Sequence, residues 1–383
     1  MRTGVFLFGG VEMDDAGAGP PNPLDRRSTN AEMWRATEQI LEAGVAADRL
    51  GYDSFWLTEH HFQHEAYEVV PNGLLLGAIL AERAKNIRIG MMFNITPQWH
   101  PLRFAEDFAT LHNISGGRGI LGVGRGTVPR ESQVLGSAVG SYDNPDQAEA
   151  DRRNRAMFDE GMQVINLSLN NEQFSYHGEV YDFPPPGIPD RGGFVEELTL
   201  VPRPLYPYET WQAITSPPSL EAVPRNGWGG VFWNKNHVFM RQWWEKFAEF
   251  YADEHGAELA SGEKRTLVLT TCVEDTYEAA VESLRPGHDE FWKFLGPYGW
   301  SAGYMGDDGK PAPAGLVPTL EQSIEQRTCV VGSPDDVAEN IARFRDDMGV
   351  ENLVLFPVMA GDSYAKAEHQ MARIAEEVLP QLA

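Results

Sequence analysis

Short apolar runs alternate with helix-like patterns along most of this chain, and no other feature limits its fold so strongly. Eight apolar runs predict buried strands, at residues 4–8, 54–57, 87–93, 119–123, 211–214, 230–233, 266–273 and 352–356. Most are followed by apolar residues spaced as in a helix with one buried face. Strands that alternate with helices indicate a parallel sheet built from βαβ units. Eight such units favour a (β/α)8 barrel, also called a TIM barrel, over a doubly wound sheet.

Three long segments match no element of such a barrel: residues 9–30, 126–150 and 285–327. Loops of this length are usually either functional or disordered. The first two follow predicted strands, which places them on the catalytic face of a barrel. The third is rich in aromatic residues, which favours a folded cover over a solvated tail. We therefore predict a single domain over residues 1–383 with three insertions, each of which is either an active-site loop or a structural flap.

The charge of the chain excludes several classes of partner. It has 31 basic and 56 acidic residues, a formal charge of −25, which argues against binding nucleic acid or an anionic membrane surface. The longest apolar stretch is too short to span a bilayer, and the first residues lack the pattern of a signal peptide. The two cysteines, Cys272 and Cys329, suggest neither a zinc site nor a disulfide framework. We expect a cytoplasmic protein.

A cluster of polar residues, Glu59-His60-His61-Phe62, directly follows the second predicted strand. Catalytic groups of a barrel lie at this end of a strand, and histidine exchanges protons near neutral pH. We interpret His60 as catalytic and His61 and His64 as structural. A zinc site built from His60, His64 and His100 is a weak alternative, because the chain has no HExxH motif. We therefore expect no metal.

Two further strand ends carry groups suited to a phosphate. Arg125 lies among glycines after the fourth strand, and an arginine can bind a phosphate through two parallel hydrogen bonds. Thr215, Ser216 and Ser219 follow the fifth strand at the start of a helix, where free N–H groups attract anions. A surface ion pair of Arg125 and a capping role for Ser216 or Ser219 are equally open alternatives. Together these residues predict a phosphorylated cofactor.

Six segments, in order along nearly the whole chain, carry a resemblance to a known family: residues 56–62 (WLTEHHF), 96–101 (TPQWHP), 103–107 (RFAED), 115–119 (SGGRG), 122–126 (GVGRG) and 331–338 (VGSPDDVA). They resemble the bacterial luciferase-like flavin monooxygenases. The resemblance implies a TIM barrel that uses reduced FMN (FMNH2) and takes O2 as co-substrate. A separate flavin reductase usually supplies the reduced flavin in this family, and members are commonly homodimers.

The resemblance also assigns roles to particular residues. His60 matches the active-site histidine of the family, which supports the C4a-peroxyflavin and the proton transfers around it. Arg125 matches the arginine that contacts the FMN phosphate. Thr215, Ser216 and Ser219 match the phosphate-binding turn.

The flavin ring and the substrate have their own candidate residues. Met92-Phe93 falls where the family often has a non-prolyl cis peptide beneath the isoalloxazine, and Glu59 and Gly124 complete the expected cofactor contacts. Gly124 stands where the luciferase α subunit has a reactive cysteine, so light emission is not implied. Aromatic side chains are candidates to line the flavin and substrate pocket, although some could be ordinary core: Phe6, Phe8, Trp56, Phe93, Trp99 and Trp233.

The resemblance therefore implies an FMNH2-dependent monooxygenase that inserts one oxygen atom from O2 into a small hydrophobic aldehyde, cyclic ketone or terpene. One competing hypothesis is an oxidoreductase of the same fold that uses the deazaflavin F420. That group tends to have Asp-His where this chain has Glu59-His60, which disfavours it. A non-catalytic flavin-binding protein and a metal-dependent hydrolase are also open hypotheses.

Overall fold

The barrel strands pair in the order in which they occur along the chain. The computed structural model describes residues 1–18, 25–137, 147–306, 308–313 and 315–382. Eight of its strands are parallel neighbours in one closed sheet: β1 Arg2–Phe6, β2 Ser54–Leu57, β3 Arg88–Met91, β4 Gly119–Gly124, β5 Thr210–Ala213, β6 Gly229–Phe232, β7 Arg265–Val273 and β8 Asn352–Phe356. The pairing of β8 with β1 closes the ring. The predicted (β/α)8 barrel is confirmed.

Helices surround this ring. They are α1 Asn30–Arg49, α2 Gly73–Arg83, α3 Pro101–Ile114, α4 Pro129–Val134, α5 Gln147–Asn170, α6 Pro217–Arg225, α7 His237–His255, α8 Tyr277–Leu295, α9 Leu320–Glu325, α10 Pro334–Met348 and α11 Tyr364–Arg373. The last helix continues as a π-helical turn, Ile374–Val378, and a 3₁₀ turn, Leu379–Leu382. No helix in the described ranges is both long enough and apolar enough to cross a membrane.

Several short elements decorate the barrel. Two small antiparallel ladders follow α5, and the first ends directly before the Pro184–Pro186 triplet. These minor elements are strands Asn94–Ile95, Tyr176–His177, Asp182–Phe183, Pro189–Asp190 and Gly193–Phe194, and 3₁₀ turns Thr96–Gln98, Gly296–Tyr298 and Trp300–Gly303.

The segment 285–327 does not lie wholly outside the barrel elements, so that expectation was wrong. It begins inside α8, and α9 lies near its end. Pro286 and Gly287 are typical of a break in a helix, yet both lie within α8, whose apolar face after them is buried. A further parallel strand, Cys329–Gly332, was also missed; it pairs with the second half of β7.

The other two insertions are partly described. Within 126–150 the structure has α4 and the start of α5, whereas the predicted insertion at 138–146 lies outside the described residues. Within 9–30, residues 19–24 lie outside them as well. The remaining residues of 9–30 form turns that lead into α1.

A close contact between β3 and β4 shapes the floor of the barrel mouth. A Cβ atom on Gly122 would lie 1.7 Å from the carbonyl oxygen of Met91, so only glycine fits there. Directly after β3, the peptide bond between Met92 and Phe93 is cis, as the resemblance implied.

We expect the replacement Gly122→Ala to reduce the free energy of unfolding by about 2 kcal/mol or more, since the backbone of β3 must move. Gly161→Ala is the matched control, because that glycine lies inside α5 and a Cβ there would meet only Tyr181 Cε2, at an ordinary contact distance of 3.7 Å. This control should leave stability unchanged or raise it by up to about 1 kcal/mol. Urea unfolding of the three proteins measures both effects. Equal stability of Gly122→Ala and the wild type would contradict the contact.

Candidate active site

A cavity of about 370 Å³ opens at the carboxyl ends of the barrel strands. This volume lies within the range typical of small-molecule sites. Most of the predicted site residues line it: Phe6, Phe8, Glu59, His60, Met92, Phe93, Gly124, Arg125, Thr215, Ser216, Ser219 and Trp233. They follow six successive strands, β1 to β6, because parallel strands in a closed barrel all end on the same face.

His60 is held between two glutamates. Its Nε2 lies 2.8 Å from Oε2 of Glu68, and its Nδ1 lies 3.1 Å from Oε1 of Glu131. Both carboxylates are almost fully buried. The backbone N–H of His60 donates to the carbonyl of Val70, which fixes the loop after β2. Each ring nitrogen therefore has a carboxylate partner.

These contacts determine the charge of the imidazole. Burial alone would lower the pKa of His60, but Glu68 and Glu131 outweigh it and raise the pKa well above its ordinary value. Burial would raise the pKa of Glu131, yet the neighbouring His60 holds it below its ordinary range. For Glu68, burial prevails and raises its pKa. The two glutamates therefore favour the imidazolium form of His60, which carries a proton on each nitrogen.

Glu59 lies on the opposite side of the same loop. Its Oε1 accepts a hydrogen bond of 2.8 Å from the indole N–H of Trp99. Its Oε2 is buried and has no hydrogen-bond partner in the described part of the chain. Burying an unpaired carboxylate oxygen is costly, so this atom is suited to accept from a bound ligand. Trp99 itself lies behind Glu59 and does not line the cavity, contrary to expectation.

Trp56 also lies away from the cavity, so its expected place in the substrate pocket was wrong. Its indole N–H donates to Ser54 Oγ at 2.9 Å. The ring covers Gly90, where a Cβ would lie 2.3 Å from it. Because both contacts draw the indole toward the amino-terminal end of the barrel, Trp56 fills the interior below the cavity floor.

At the predicted phosphate site, both Arg125 and the start of α6 differ from what the sequence led us to expect. Arg125 Nη1 lies 2.9 Å from Asp151 Oδ1, so this side chain already has an ionic partner. Helix α6 begins with Pro217 and Pro218, which have no N–H to offer an anion. The expected set of free N–H groups at this helix start is therefore reduced.

The hydroxyl groups of the turn before α6 remain. Ser219 Oγ accepts from the backbone N–H groups of Thr215 and Ser216, both at 3.1 Å. It also donates to the carbonyl of Ser216, so Ser219 shapes the turn. Thr215 and Ser216 line the cavity beside Arg125. A guanidinium and two hydroxyl-bearing residues thus line the same cavity.

Sequence reasoning missed several lining residues. Glu131, Tyr298 and Trp300 lie in the segments 126–150 and 285–327, whose length was the signal that could have found them. No sequence pattern indicated Glu68 as a site residue, because it lies among apolar residues of the loop after β2. Lys235 follows β6; burial lowers its pKa to about 8, and its Nζ lies 3.8 Å from the ring centre of Trp243.

Aromatic side chains line part of the cavity. Residues 291–300, at the end of α8 and directly after it, contribute two of them, and we call this segment the aromatic roof. The ring of Trp233 packs edge-on against Trp300 and Phe6, with centroids 5.1 and 5.4 Å apart. On α8, Phe291 stacks parallel to Phe8 at 5.9 Å. Among the described residues, no group of three or more His, Cys, Asp or Glu side chains is arranged to hold a metal ion.

The chain is similar to known proteins over most of its length. The profile of one family, the luciferase-like monooxygenases, matches residues 1–352. The chain is 26% identical over 363 residues to 3,6-diketocamphane 1,6-monooxygenase from Pseudomonas putida, which covers 89% of this chain and 92% of that protein. It is 26% identical over 361 residues to an F420-dependent glucose-6-phosphate dehydrogenase from Amycolatopsis mediterranei, which covers 90% and 94%.

Two further likenesses are relevant. The oxygenase component of the flavin-dependent trigonelline monooxygenase from Acinetobacter baylyi is 27% identical over 206 residues, 53% of this chain and 50% of that protein. A solved structure of the oxygenating constituent of 3,6-diketocamphane monooxygenase from Pseudomonas putida, in complex with FMN, superposes with a TM-score of 0.73. It is 22% identical and covers 99% of this chain and 98% of that chain, a likeness that shows the shared fold.

We expect the replacement Glu131→Gln to lower the pKa of His60 by about one pH unit or more, because it removes one of two adjacent negative charges. NMR titration of histidine-labelled protein measures this pKa. Glu82→Gln is the control, since that exposed carboxylate lies near Lys85 on the outer surface. An unchanged pKa in Glu131→Gln would contradict the ion pair.

The same pKa has a consequence for stability. Because the folded-state pKa of His60 lies above its ordinary value, protonation favours the folded protein at low pH. This stabilisation is lost as the pH rises through the raised pKa. Urea unfolding at successive pH values should show the loss in the wild type and a smaller loss in Glu131→Gln.

Proposed function

Because the chain belongs to the luciferase-like monooxygenase family, we propose that it is an FMNH2-dependent monooxygenase. Its reaction transfers one oxygen atom of O2 to a small hydrophobic aldehyde, cyclic ketone or terpene. The observation that carries this proposal is the composition of the cavity at the barrel mouth. Arg125 and the hydroxyls of Thr215 and Ser216 line it after β4 and β5, and His60 and several aromatic rings line it as well.

The residues present fit FMN on their chemistry. A phosphate matches the guanidinium of Arg125 and the hydroxyls of Thr215 and Ser216. Aromatic and apolar groups such as Phe93 suit the faces of a flat ring system. The unpartnered Oε2 of Glu59 matches a ring N–H donor. Phosphate binding also requires Arg125 to share its N–H groups between the phosphate and Asp151.

When bound, reduced FMN supplies the electrons that activate O2. The chain contributes the surroundings of that chemistry. His60 holds a proton on Nδ1 and another on Nε2, each backed by a glutamate, and so places positive charge and a proton source at the cavity. The aromatic roof excludes water, which favours oxygen transfer to the substrate over loss of the activated oxygen.

Further parts of the proposal concern the setting of the enzyme. A separate flavin reductase delivers FMNH2, as the name of the trigonelline relative as an oxygenase component supports. The chain works as one domain in a homodimer. It acts in the cytoplasm, where its two buried thiols, Cys272 and Cys329, stay reduced.

We expect the replacement Arg125→Ala to weaken FMN binding by roughly ten- to hundred-fold, the effect of losing one or two charge-assisted hydrogen bonds. Riboflavin, which lacks the phosphate, should bind the variant and the wild type equally. Fluorescence titration with FMN, riboflavin and F420 measures these affinities. Arg49→Ala is the control, because that arginine is exposed on α1. Equal loss of riboflavin binding, or tighter binding of F420 than of FMN, would contradict the assigned phosphate site or the cofactor.

The replacement His60→Ala should retain FMN binding and lose coupled oxygenation. Reduced flavin is then still oxidised by O2, but hydrogen peroxide replaces the oxygenated product. Oxygen consumption, peroxide and product are measured on a panel of aldehydes, cyclic ketones and terpenes. Full product yield in His60→Ala would remove the role assigned to this residue.

A further inference from the structure

A fully buried carboxylate outside the cavity connects three separate parts of the molecule. Glu290 lies on α8 with its side chain completely excluded from solvent. Its Oε1 accepts a 2.5 Å hydrogen bond from the hydroxyl of Tyr67, in the loop after β2. Its Oε2 accepts a 2.8 Å hydrogen bond from the backbone N–H of Gly17, in the loop after β1.

Two cations complete this cluster, which we call the Glu290 cluster: Asp15, Gly17, Arg26, Tyr67, Glu290 and Lys293. Arg26, from the loop after β1, lies 3.1 Å from the Glu290 carboxylate, and Lys293, one turn along α8, lies 3.2 Å from it. Arg26 also pairs with Asp15. Two negative and two positive side chains therefore balance. A carboxylate buried this deeply is stable only while such partners stay in place.

The loop after β1 also touches the backbone of α8 directly. Gly17 has a φ of +77°, and a Cβ there would lie 2.9 Å from the carbonyl oxygen of Pro286. The loop and the helix thus meet without an intervening side chain. Contact at this point and the Glu290 hydrogen bonds fix the helix at two neighbouring turns.

The part of α8 that follows Glu290 leads directly into residues that line the cavity. Phe294 stacks on Tyr67, with centroids 4.5 Å apart, so the ring of the residue that bonds Glu290 also supports the roof. The rings of Phe294 and His60 are packed in a T-shaped arrangement, with centroids 6.4 Å apart. Leu295, Tyr298 and Trp300, which come next in the chain, line the cavity.

We propose that Glu290 is a positioning residue that holds the aromatic roof, residues 291–300, closed over the cavity. It touches no reacting group itself; it acts through Tyr67 and Phe294. The consequence for oxygen transfer rests on the proposed function. With the roof loosened, water enters, and O2 takes two electrons and two protons from FMNH2 and leaves as hydrogen peroxide, with oxidised FMN as the other product.

The test compares Glu290→Gln and Tyr67→Phe with the wild type. Both replacements preserve side-chain size, and Tyr67→Phe keeps the ring that stacks on Phe294, so it serves if Glu290→Gln fails to fold. Glu282→Gln is the matched control, because Glu282 is an exposed glutamate of the same helix. Hydrogen exchange of the protein without flavin is the first readout. Oxygenated product formed per O2 consumed is the second.

In both variants, exchange at residues 286–303 should quicken by roughly ten-fold or more, the effect of losing one charge-assisted hydrogen bond, while the barrel strands stay protected. Product per O2 should fall, whereas the affinity for FMN, set at the Arg125 end, should stay unchanged. Unchanged exchange at 286–303, or faster exchange spread evenly over the barrel, would overturn the proposal. If the wild type makes no product from FMNH2 and O2, the proposed function fails, and the exchange measurement still decides the role of Glu290.

Discussion

The pairing of β8 with β1 is the contact on which the site depends. Arg2 lies opposite Asn352 and Val5 opposite Leu355, and this register closes the ring of strands. In a closed parallel barrel every strand ends on the same face, so residues far apart in the chain share one cavity. His60, Arg125 and Trp233 line one cavity for this reason. Segments between the strands contribute the remaining groups, which are Glu131, the aromatic roof and the Glu290 cluster.

Several cations of this acidic chain pair with carboxylates at or near the site. His60 meets Glu68 and Glu131, Arg26 meets Glu290, and Arg125 meets Asp151. For His60 this pairing favours the protonated ring, which suits a proton source better than a free base. For Arg125 the pairing offsets part of the positive charge that the proposed phosphate site needs. The hydroxyls of Thr215 and Ser216 therefore carry more of the expected phosphate contact than the helix start does.

The sequence predicted the barrel because apolar runs and helical spacing are local properties. It also predicted His60, Arg125 and the serine turn, since each directly follows a predicted strand. It failed where the answer depends on packing. Trp56 and Trp233 both look like pocket residues, yet Ser54 and Gly90 draw only Trp56 below the cavity floor. The sequence did not indicate Glu68 or Glu290. Their partners lie in other loops, and no local pattern distinguishes a buried glutamate from a solvated one.

Labelled oxygen tests the central claim most directly. The protein is mixed with FMNH2 and ¹⁸O2, in the presence of a cyclic ketone, and the product is examined by mass spectrometry. A monooxygenase built on this cavity incorporates one atom of ¹⁸O into each product molecule and releases the other as water. Product that carries no ¹⁸O, or turnover that needs F420 and no O2, would contradict the account.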